Sequence, residues 1–239
     1  MKMRLMLLCL CAMTAFGTSC RKEINGDGPT KTETRTATDF TALTVSVPAE
    51  VVVTQDPTYK LTIEAQNNIL DVITSSVQAK ELRIKFKDNK NIGDHEKIVI
   101  KVSAPMFNKL TINGAGEITS SNALTGTDLS LKTTGASKIR LLSATMTASL
   151  DAYISGSGDI EVLAGQAASG RLTTSGSGNI NMIDVTVKKV TASITGAGNI
   201  RSDATDELKV KIAGSGSVFY KGTPAIDSEV SGSGSVKKI

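Results

Sequence analysis

Glu117 and Asp159 are the carboxylates of this 239-residue chain whose spacing first suggests chemistry. Both occupy the same position of a repeated pattern, and two carboxylates that face one glycan can act as general acid and general base. Asp151, with Lys132 and Lys211, forms a second combination of this kind. Because these residues lie on different copies of the repeat, we expect ordinary surface charges at both places.

His95 is the only histidine, and it lies between Asp94 and Glu96. It could bind a metal ion or act as a general base, but a single histidine in a charged loop is more often simply solvated. The sequence contains no HExxH motif, no Cys/His pair and no nucleophile elbow. Its glycines also lack the GxGxxG spacing of a dinucleotide site. We therefore predict no catalytic residue, no bound metal and no cofactor.

A five-residue pattern, Gly-[Ala/Ser]-[Gly/Ser]-x-[Ile/Val], occurs seven times in the second half of the chain. The copies begin at residues 114, 135, 156, 176, 196, 214 and 232, in steps of 21, 21, 20, 20, 18 and 18 residues. A period of this length is typical of a solenoid, in which one supersecondary unit stacks on the next. Apolar and polar residues alternate through each copy, which is the period of a β-strand.

This alternation places the glycines on the inward side of each strand, together with the aliphatic residues. An inward glycine leaves no side chain to pack and usually marks a tight bend or a close backbone approach. We predict two short strands that meet at a glycine corner in each copy, within an all-β, single-stranded, right-handed parallel β-solenoid of about 20 residues per coil. The predicted corner glycines are Gly114, Gly116, Gly135, Gly156, Gly158, Gly176, Gly178, Gly196, Gly198, Gly214, Gly216, Gly232 and Gly234. Ser137 replaces the second glycine of one copy, which predicts a less tight corner there.

The residue before each final Ile or Val should form a column if the coils stack in register. Its members are Glu117, Lys138, Asp159, Asn179, Asn199, Ser217 and Ser235. Neighbouring strands lie about 4.8 Å apart, so Lys138 could lie between two carboxylates and Asn179 could hydrogen-bond Asn199. The alternative is a set of independently solvated residues, since exposed ion pairs contribute only about 0 to 1 kcal/mol each.

Residues 1–19 have the pattern of an export signal, with Lys2 and Arg4 ahead of a short apolar stretch. That stretch is too short to span a bilayer as a lasting helix. Cys20 resembles the lipidated first residue of a bacterial lipoprotein, although Gly17 stands where such sequences usually have Leu. The alternative is an ordinary signal peptide that leaves Cys20 as a free thiol. We predict an exported lipoprotein whose partner is a membrane, with the outer membrane as the expected location.

Composition divides the rest of the chain into a tether and one domain. Residues 20–37 are rich in charges, Gly, Pro and Thr and predict a flexible tether. Residues 38–239 predict one solenoid domain, with irregular capping coils over 38–105 and the repeats over 106–239. The formal net charge is +4, of which the export signal supplies two. No Lys/Arg cluster with interleaved aromatic residues favours nucleic acid, and a chain with no Trp and three Tyr offers no evident platform for stacking sugars.

Several longer motifs occur in a fixed order. They are FxxLxVxVPAxVVVTQ over Phe40–Gln55, NNILDVITSSV over Asn67–Val77, KIVIKVSAP ending at Pro105, and then successive GSG-x-[IV] copies. In this order the sequence resembles the GIN-domain family, exported proteins common in Bacteroidetes and described as autotransporter adhesin heads. The resemblance covers about residues 38–239. It implies a parallel β-solenoid similar in shape to pectate-lyase-like folds, without an established catalytic site, and with adhesion as the suggested role.

Two functional hypotheses follow from these observations. The leading one is a non-enzymatic envelope lipoprotein whose solenoid face binds an extracellular protein or glycan. The alternative is a β-solenoid lyase or hydrolase that acts on polysaccharide. Acids that converge in one cleft, or a basic residue beside a carboxylate, would favour the enzyme.

Overall fold

The structure is a computed structural model that describes residues 23–88 and 90–239. Its first part contains β1 (Glu23–Ile24), β2 (Thr30–Arg35), β3 (Ala42–Ser46), β4 (Ala49–Gln55), β5 (Lys60–Gln66), α1 (Asn67–Leu70), β6 (Ile73–Gln78), β7 (Glu81–Phe86), β8 (Asn91–Ile92) and β9 (Ile98–Ala104). The repeats contain β10 (Lys109–Ser120), β11 (Leu124–Leu141), β12 (Ala144–Gly156), β13 (Asp159–Val162), β14 (Gly165–Gly176), β15 (Asn179–Gly196), β16 (Asn199–Gly214), β17 (Ser217–Lys221), β18 (Ala225–Gly232) and β19 (Ser235–Lys238).

The repeats stack as parallel coils in register, which confirms the predicted β-solenoid. Gly114 pairs with Gly135, and the row continues through the first glycine of every later copy. The final Ile or Val of each copy forms a second row inside the solenoid. Its first six members have no exposed surface: Ile118, Ile139, Ile160, Ile180, Ile200 and Val218. A continuous aliphatic column therefore holds successive coils together.

The two glycines of a copy have different roles, which corrects the prediction that both point inward. Gly196, a first glycine, is partly exposed and has φ of +123°, a conformation that favours glycine. Gly198, a second glycine, is buried, and a Cβ there would lie 2.1 Å from the carbonyl oxygen of Gly178. In five copies the strand stops at the first glycine and restarts after the second. The first glycine thus turns the chain, and both glycines allow the coils to approach, because a Cβ at Gly196 would also lie only 2.4 Å from the carbonyl oxygen of Gly176.

Ser137 shows what happens where the second glycine is missing. In this copy β11 runs through residues 135–141 without a break, as does β10 in the copy before it. The Ser137 side chain is buried, and its Oγ donates to the carbonyl oxygen of Ile112 at 3.3 Å. A serine is therefore accommodated because its hydroxyl has a backbone acceptor in the interior.

The residues before the repeats build two further coils, whose order in the stack differs from their order in the sequence. β3 and β4 pair in parallel with the two halves of β10. β7 and β9, which follow them in the chain, lie on their other side. β5 and β6 then pair antiparallel with β9 and β7. The antiparallel strands and α1 cover this end of the aliphatic core, where Phe40 and Ile69 are fully buried.

The prediction of a flexible tether over residues 20–37 is wrong for residues 23–37. β2 pairs antiparallel with β5, and β1 pairs with β8. The side chain of Arg35 is 13% exposed, and its guanidinium donates to the carbonyl oxygens of Leu70 at 3.0 Å and Ile73 at 2.8 Å. The segment has few aliphatic residues. Backbone pairing and the largely buried Arg35 side chain hold it in the domain, rather than apolar burial.

The predicted export signal and Cys20 lie outside the described residues. Among residues 23–88 and 90–239, no helix has the length and apolar character needed to cross a membrane.

Candidate functional site

The strand segments that follow the glycine corners present two outward columns of side chains, which we call the corner face. The corner column is the predicted one, Glu117, Lys138, Asp159, Asn179, Asn199, Ser217 and Ser235. The second column, two residues further along each strand, is Thr119, Arg140, Glu161, Asn181, Arg201, Phe219 and Lys237. The pairing register places each residue beside its counterpart in the next coil.

The amide half of the corner column is a continuous hydrogen-bonded ladder. The backbone N and Nδ2 of Asn179 both donate to Asp159 Oδ1, at 3.2 and 3.1 Å. Asn199 donates in the same way to Asn179 Oδ1, so the expected Asn179–Asn199 bond is formed. Ser217 N donates to Asn199 Oδ1, and the Ser217 and Ser235 hydroxyls lie 2.9 Å apart. Where β15, β16 and β17 restart after their corners, a side chain of the preceding coil thus accepts from the first N–H of the strand.

The charged half of the corner column differs from the expectation. In the described part of the chain, Lys138 lies in register between Glu117 and Asp159 but forms no ion pair with either. An ion pair lies instead in the second column, where Arg140 Nε contacts Glu161 Oε2 at 3.0 Å. Asp159 Oδ1 is already occupied by the two donors of Asn179. Local hydrogen bonding therefore decides which charges pair.

A groove runs between the two columns, and we call it the corner groove. Its wider section has a volume of about 320 Å³ and is lined by Asn179, Ile180, Asn181, Asn199, Arg201 and Phe219. Its narrower section, of about 160 Å³, is lined by Lys138, Asp159, Ile160, Glu161, Asn179 and Asn181. The two sections share Asn179 and Asn181, so they are contiguous along the stack.

The second column supplies functional groups that the sequence analysis missed. The Arg201 guanidinium lies 5.3 Å from the centroid of the half-buried Phe219 ring. Asn181 Nδ2 donates to Glu161 Oε1 at 3.2 Å, while Asn181 Oδ1 is buried without a donor among the described residues. The sequence feature that could have revealed this column is Phe219, because the other copies have Thr, Arg, Glu, Asn or Lys at the same position.

The carboxylates considered for catalysis are not brought together as sets. Glu117 and Asp159 lie two coils apart in one column. Asp151 lies on the face before the glycines, where its Oδ1 accepts from the backbone N of Arg171 at 2.8 Å. On that face Lys132 is paired with Tyr153. Lys211 lies three coils beyond Tyr153 and contacts Glu229 of the next coil at 3.2 Å.

His95 is half-buried in the loop between β8 and β9. Its Nδ1 lies 2.6 Å from the backbone carbonyl oxygen of Glu96. Within residues 23–88 and 90–239, no three His, Cys, Asp or Glu side chains come together in a geometry that could bind a metal ion. The described contacts of His95 are therefore those of a half-buried loop residue held by a backbone carbonyl oxygen.

A larger cavity, of about 470 Å³, lies beside β4, β5 and β9. It is lined by Thr54, Asp56, Thr58, Tyr59, Lys60, Thr62, Lys101, Val102 and Ser103. The hydroxyl and the backbone N–H of Thr58 donate to Asp56 Oδ1, and these hydrogen bonds lower the pKa of Asp56. The Tyr59 ring packs 5.0 Å from the Phe40 ring. These contacts are typical of a turn that caps the core rather than of a reactive site.

Glu81 is the most strongly perturbed carboxylate of the described residues. Burial raises its pKa, but hydrogen bonds from Thr44, Lys109 and Arg83 outweigh that effect and lower the pKa to about 2. Lys109 Nζ lies 3.0 Å from Glu81 Oε1, and Thr44 Oγ1 lies 2.8 Å from the same oxygen. Because Glu81 starts β7 while Thr44 belongs to β3 and Lys109 to β10, this carboxylate joins three strands and stabilises the fold.

Comparison with known proteins agrees with this architecture. Residues 39–224 match the family described as "Putative auto-transporter adhesin, head GIN domain". A "putative adhesin" from Bacteroides fragilis NCTC 9343 is 26% identical with a TM-score of 0.85, covering 90% of this chain and 100% of that chain. A "putative lipid binding protein" from Parabacteroides distasonis ATCC 8503 is 23% identical with a TM-score of 0.74, covering 91% of this chain and 100% of that chain.

A further "putative adhesin", from Parabacteroides merdae ATCC 43184, is 24% identical with a TM-score of 0.72, and the match covers 91% of this chain and 99% of that chain. At this identity the two Parabacteroides structures show a common fold. Comparison with curated proteins finds no match. Since the family match spans most of the chain and includes its glycine corners up to Gly214, this protein belongs to the auto-transporter adhesin head GIN-domain family.

Proposed function

We propose that the protein is a non-enzymatic binding module of the cell envelope, which uses the corner face to bind an extracellular protein or glycan. The observation that carries this proposal is the register of the two outward columns. Outward side chains, nearly all of them polar or charged, recur at each coil about 4.8 Å apart, so the face offers a regularly spaced array to an extended partner. The family description as an adhesin head supports the same role.

The interior of the solenoid favours binding at its surface. The inward positions of the coils are filled by Ile, Leu, Val and Ala side chains that are almost fully buried. Such a core leaves no room for a small substrate, whereas the long lateral faces remain accessible. Solenoids commonly bind large partners through surfaces of this kind.

We also propose that Cys20 carries a lipid anchor in the outer membrane. The export pattern of residues 1–19 and the position of Cys20 support this. Glu23 already belongs to a strand of the domain. The three-residue span from Cys20 to Glu23 reaches at most about 10 Å, so a lipid at Cys20 would hold the capped end of the solenoid close to the membrane.

The test of the binding role is a binding screen with the mature full-length protein. Immobilised extracellular matrix proteins and a glycan array are the probes. We expect saturable binding to at least one of them, which is weakened when Arg140 and Arg201 on the corner face are replaced by Gln. Replacement of Lys132 and Lys211, on the face before the glycines, by Gln should leave binding near wild type. Absence of any binding would overturn the proposal.

One observation favours the polysaccharide-active alternative: Asp159 and Glu161 line the same section of the corner groove. Two carboxylates in one groove are the minimum for glycoside hydrolysis. Both are occupied, Asp159 by Asn179, and Glu161 by Arg140 and Asn181. Release of new sugar ends from a polysaccharide, lost in Asp159→Asn and Glu161→Gln, would replace the binding proposal with the enzymatic one.

A further inference from the structure

The wider section of the corner groove combines hydrogen-bonding groups with one aromatic ring. Asn179, Asn181 and Asn199 contribute amides, Arg201 a guanidinium and Phe219 a ring. These side chains come from three successive strands of the stack, β15, β16 and β17, whose backbones fix their spacing. We infer that this section is a subsite for a neutral, linear glycan that lies along the solenoid axis, an inference that rests on the proposed binding function.

The chemistry of the groups favours sugar hydroxyls. Amide and guanidinium groups offer several donors and acceptors in fixed geometry, and these suit adjacent hydroxyls. Asn181 is held in one orientation by its bond to Glu161, while its buried Oδ1 has no donor among the described residues. A buried acceptor without a partner is unfavourable. A hydroxyl or a water carried into the floor of the groove with the ligand supplies the missing donor.

Phe219 and Arg201 provide the apolar contact that sugar rings require. Arg201 lies over the Phe219 ring at 5.3 Å, and the stacking holds both side chains in place before a ligand arrives. A half-buried ring on the surface of a sheet has few rotamers to lose on binding, which lowers the entropic cost of binding. The apolar face of a sugar packs on the part of the ring that Arg201 and the sheet leave exposed.

The charges of the groove favour a neutral ligand over a polyanion. Its two sections contain two basic residues, Lys138 and Arg201, and two acidic ones, Asp159 and Glu161. Both acids already accept hydrogen bonds within the protein. The formal charges therefore balance, whereas sites for polyanions concentrate Lys and Arg.

The backbone beneath the groove argues against an extended peptide. Peptides that bind β-proteins commonly add a strand to a free sheet edge. Here β13, β15, β16 and β17 each pair with a neighbouring strand on both sides. The groove therefore offers a sheet surface and no unpaired edge, so the recognition must come from side chains.

The experiment measures binding of the mature full-length protein to β-1,4-linked hexasaccharides of glucose, mannose and xylose by isothermal titration calorimetry. Phe219→Ser and Arg201→Gln test the groove. Tyr153→Ser is the matched control, because Tyr153 is a half-buried aromatic residue on the face before the glycines, with Arg171 beside it at 3.5 Å. Melting temperatures establish that each variant folds. If Phe219→Ser does not fold, Arg201→Gln still tests the groove, because Arg201 is exposed.

We expect at least one hexasaccharide to bind, with affinity reduced at least about tenfold in Phe219→Ser and Arg201→Gln and changed less than about twofold in Tyr153→Ser. Binding that is lost in Tyr153→Ser but not in the groove variants would overturn this location. Binding only to heparin or only to a matrix protein would overturn the glycan inference while the adhesin role stands. Cleavage of the hexasaccharide would overturn both.

Discussion

Asn199 donates both its backbone N–H and its Nδ2 hydrogen to Asn179 Oδ1, at 3.1 Å each. The same arrangement joins Asn179 to Asp159 in the preceding coil. At the start of β15 and of β16, where strand pairing is interrupted, one side-chain oxygen therefore replaces a backbone acceptor.

Asp159→Asn should leave stability near wild type, because the asparagine keeps an oxygen for both donors of Asn179. Asp159→Ala removes that oxygen and should lower the free energy of unfolding by about 0.5 to 1.5 kcal/mol, the net contribution of a typical hydrogen bond. Urea unfolding of both variants measures the difference. Equal loss in the two variants would show that charge, rather than the acceptor, stabilises this corner.

Gly198→Ala should destabilise the solenoid by about 1 to 3 kcal/mol, the usual cost of overpacking. Its Cβ would lie 2.1 Å from the Gly178 carbonyl oxygen, and backbone of the preceding coil cannot move aside. Gly126→Ala is the control, because its nearest neighbour is the Met146 sulfur at 3.6 Å. Thermal unfolding should show a melting temperature several degrees lower for Gly198→Ala alone. Gly198→Val should be worse, and His95→Ala should be neutral.

Arg35→Ala should lower the free energy of unfolding by about 1.5 to 3 kcal/mol, because it removes both hydrogen bonds to the Leu70 and Ile73 carbonyl oxygens. Lys31→Ala, at an exposed position of the same strand, should change it by less than about 0.5 kcal/mol. Limited proteolysis should then cut residues 23–37 faster in Arg35→Ala. Equal cleavage of wild type and variant would indicate that this segment is not part of the folded domain.

The lowered pKa of Glu81 predicts that the protein loses stability in acid. Its pKa falls from 4.5 in the unfolded chain to about 2 in the fold. Its contribution is therefore fully present above pH 4.5 and disappears as the pH falls through 2. Between pH 7 and pH 3, wild type should lose about 2 kcal/mol more than Glu81→Gln. Urea unfolding at both pH values measures this, with Glu117→Gln as the control that should behave like wild type.

Cys20→Ser should move the protein from the membrane fraction to the soluble envelope fraction, because the substitution removes the thiol that would carry the lipid. Cell fractionation measures this, and mass spectrometry of the wild type should find a lipidated N-terminal Cys20. Membrane retention of the variant, or a mature N-terminus at another residue, would contradict the anchor.

The sequence by itself determined the repeated part of this protein. The period of about 20 residues and the strand-like alternation predicted parallel coils, the row of first glycines and the buried column that includes Ile160 and Ile180. These features are local and occur seven times, so each copy constrains the others. The corner column followed from the same register, and its Asn179–Asn199 bond needed only the spacing of adjacent strands.

The tertiary structure alone decided which groups meet where the pattern is irregular or where partners compete. The coil of β7 and β9 lies outside that of β3 and β4, although it comes later in the chain, and periodicity carries no information about that order. Residues 23–37 join the domain because Arg35 finds carbonyl oxygens more than 30 residues away.

Competition between partners explains the differences on the corner face. Asp159 accepts a hydrogen bond from the Asn179 amide and, within the described part of the chain, forms no ion pair with Lys138. Glu161 forms an ion pair with Arg140. In each case several partners are possible by spacing, and the distances in the folded coils select one. The meeting of Arg201 with Phe219 has the same origin. Spacing along the chain predicts which residues can be neighbours. Which of these neighbours contact each other depends on side-chain distances that only the packed coils fix.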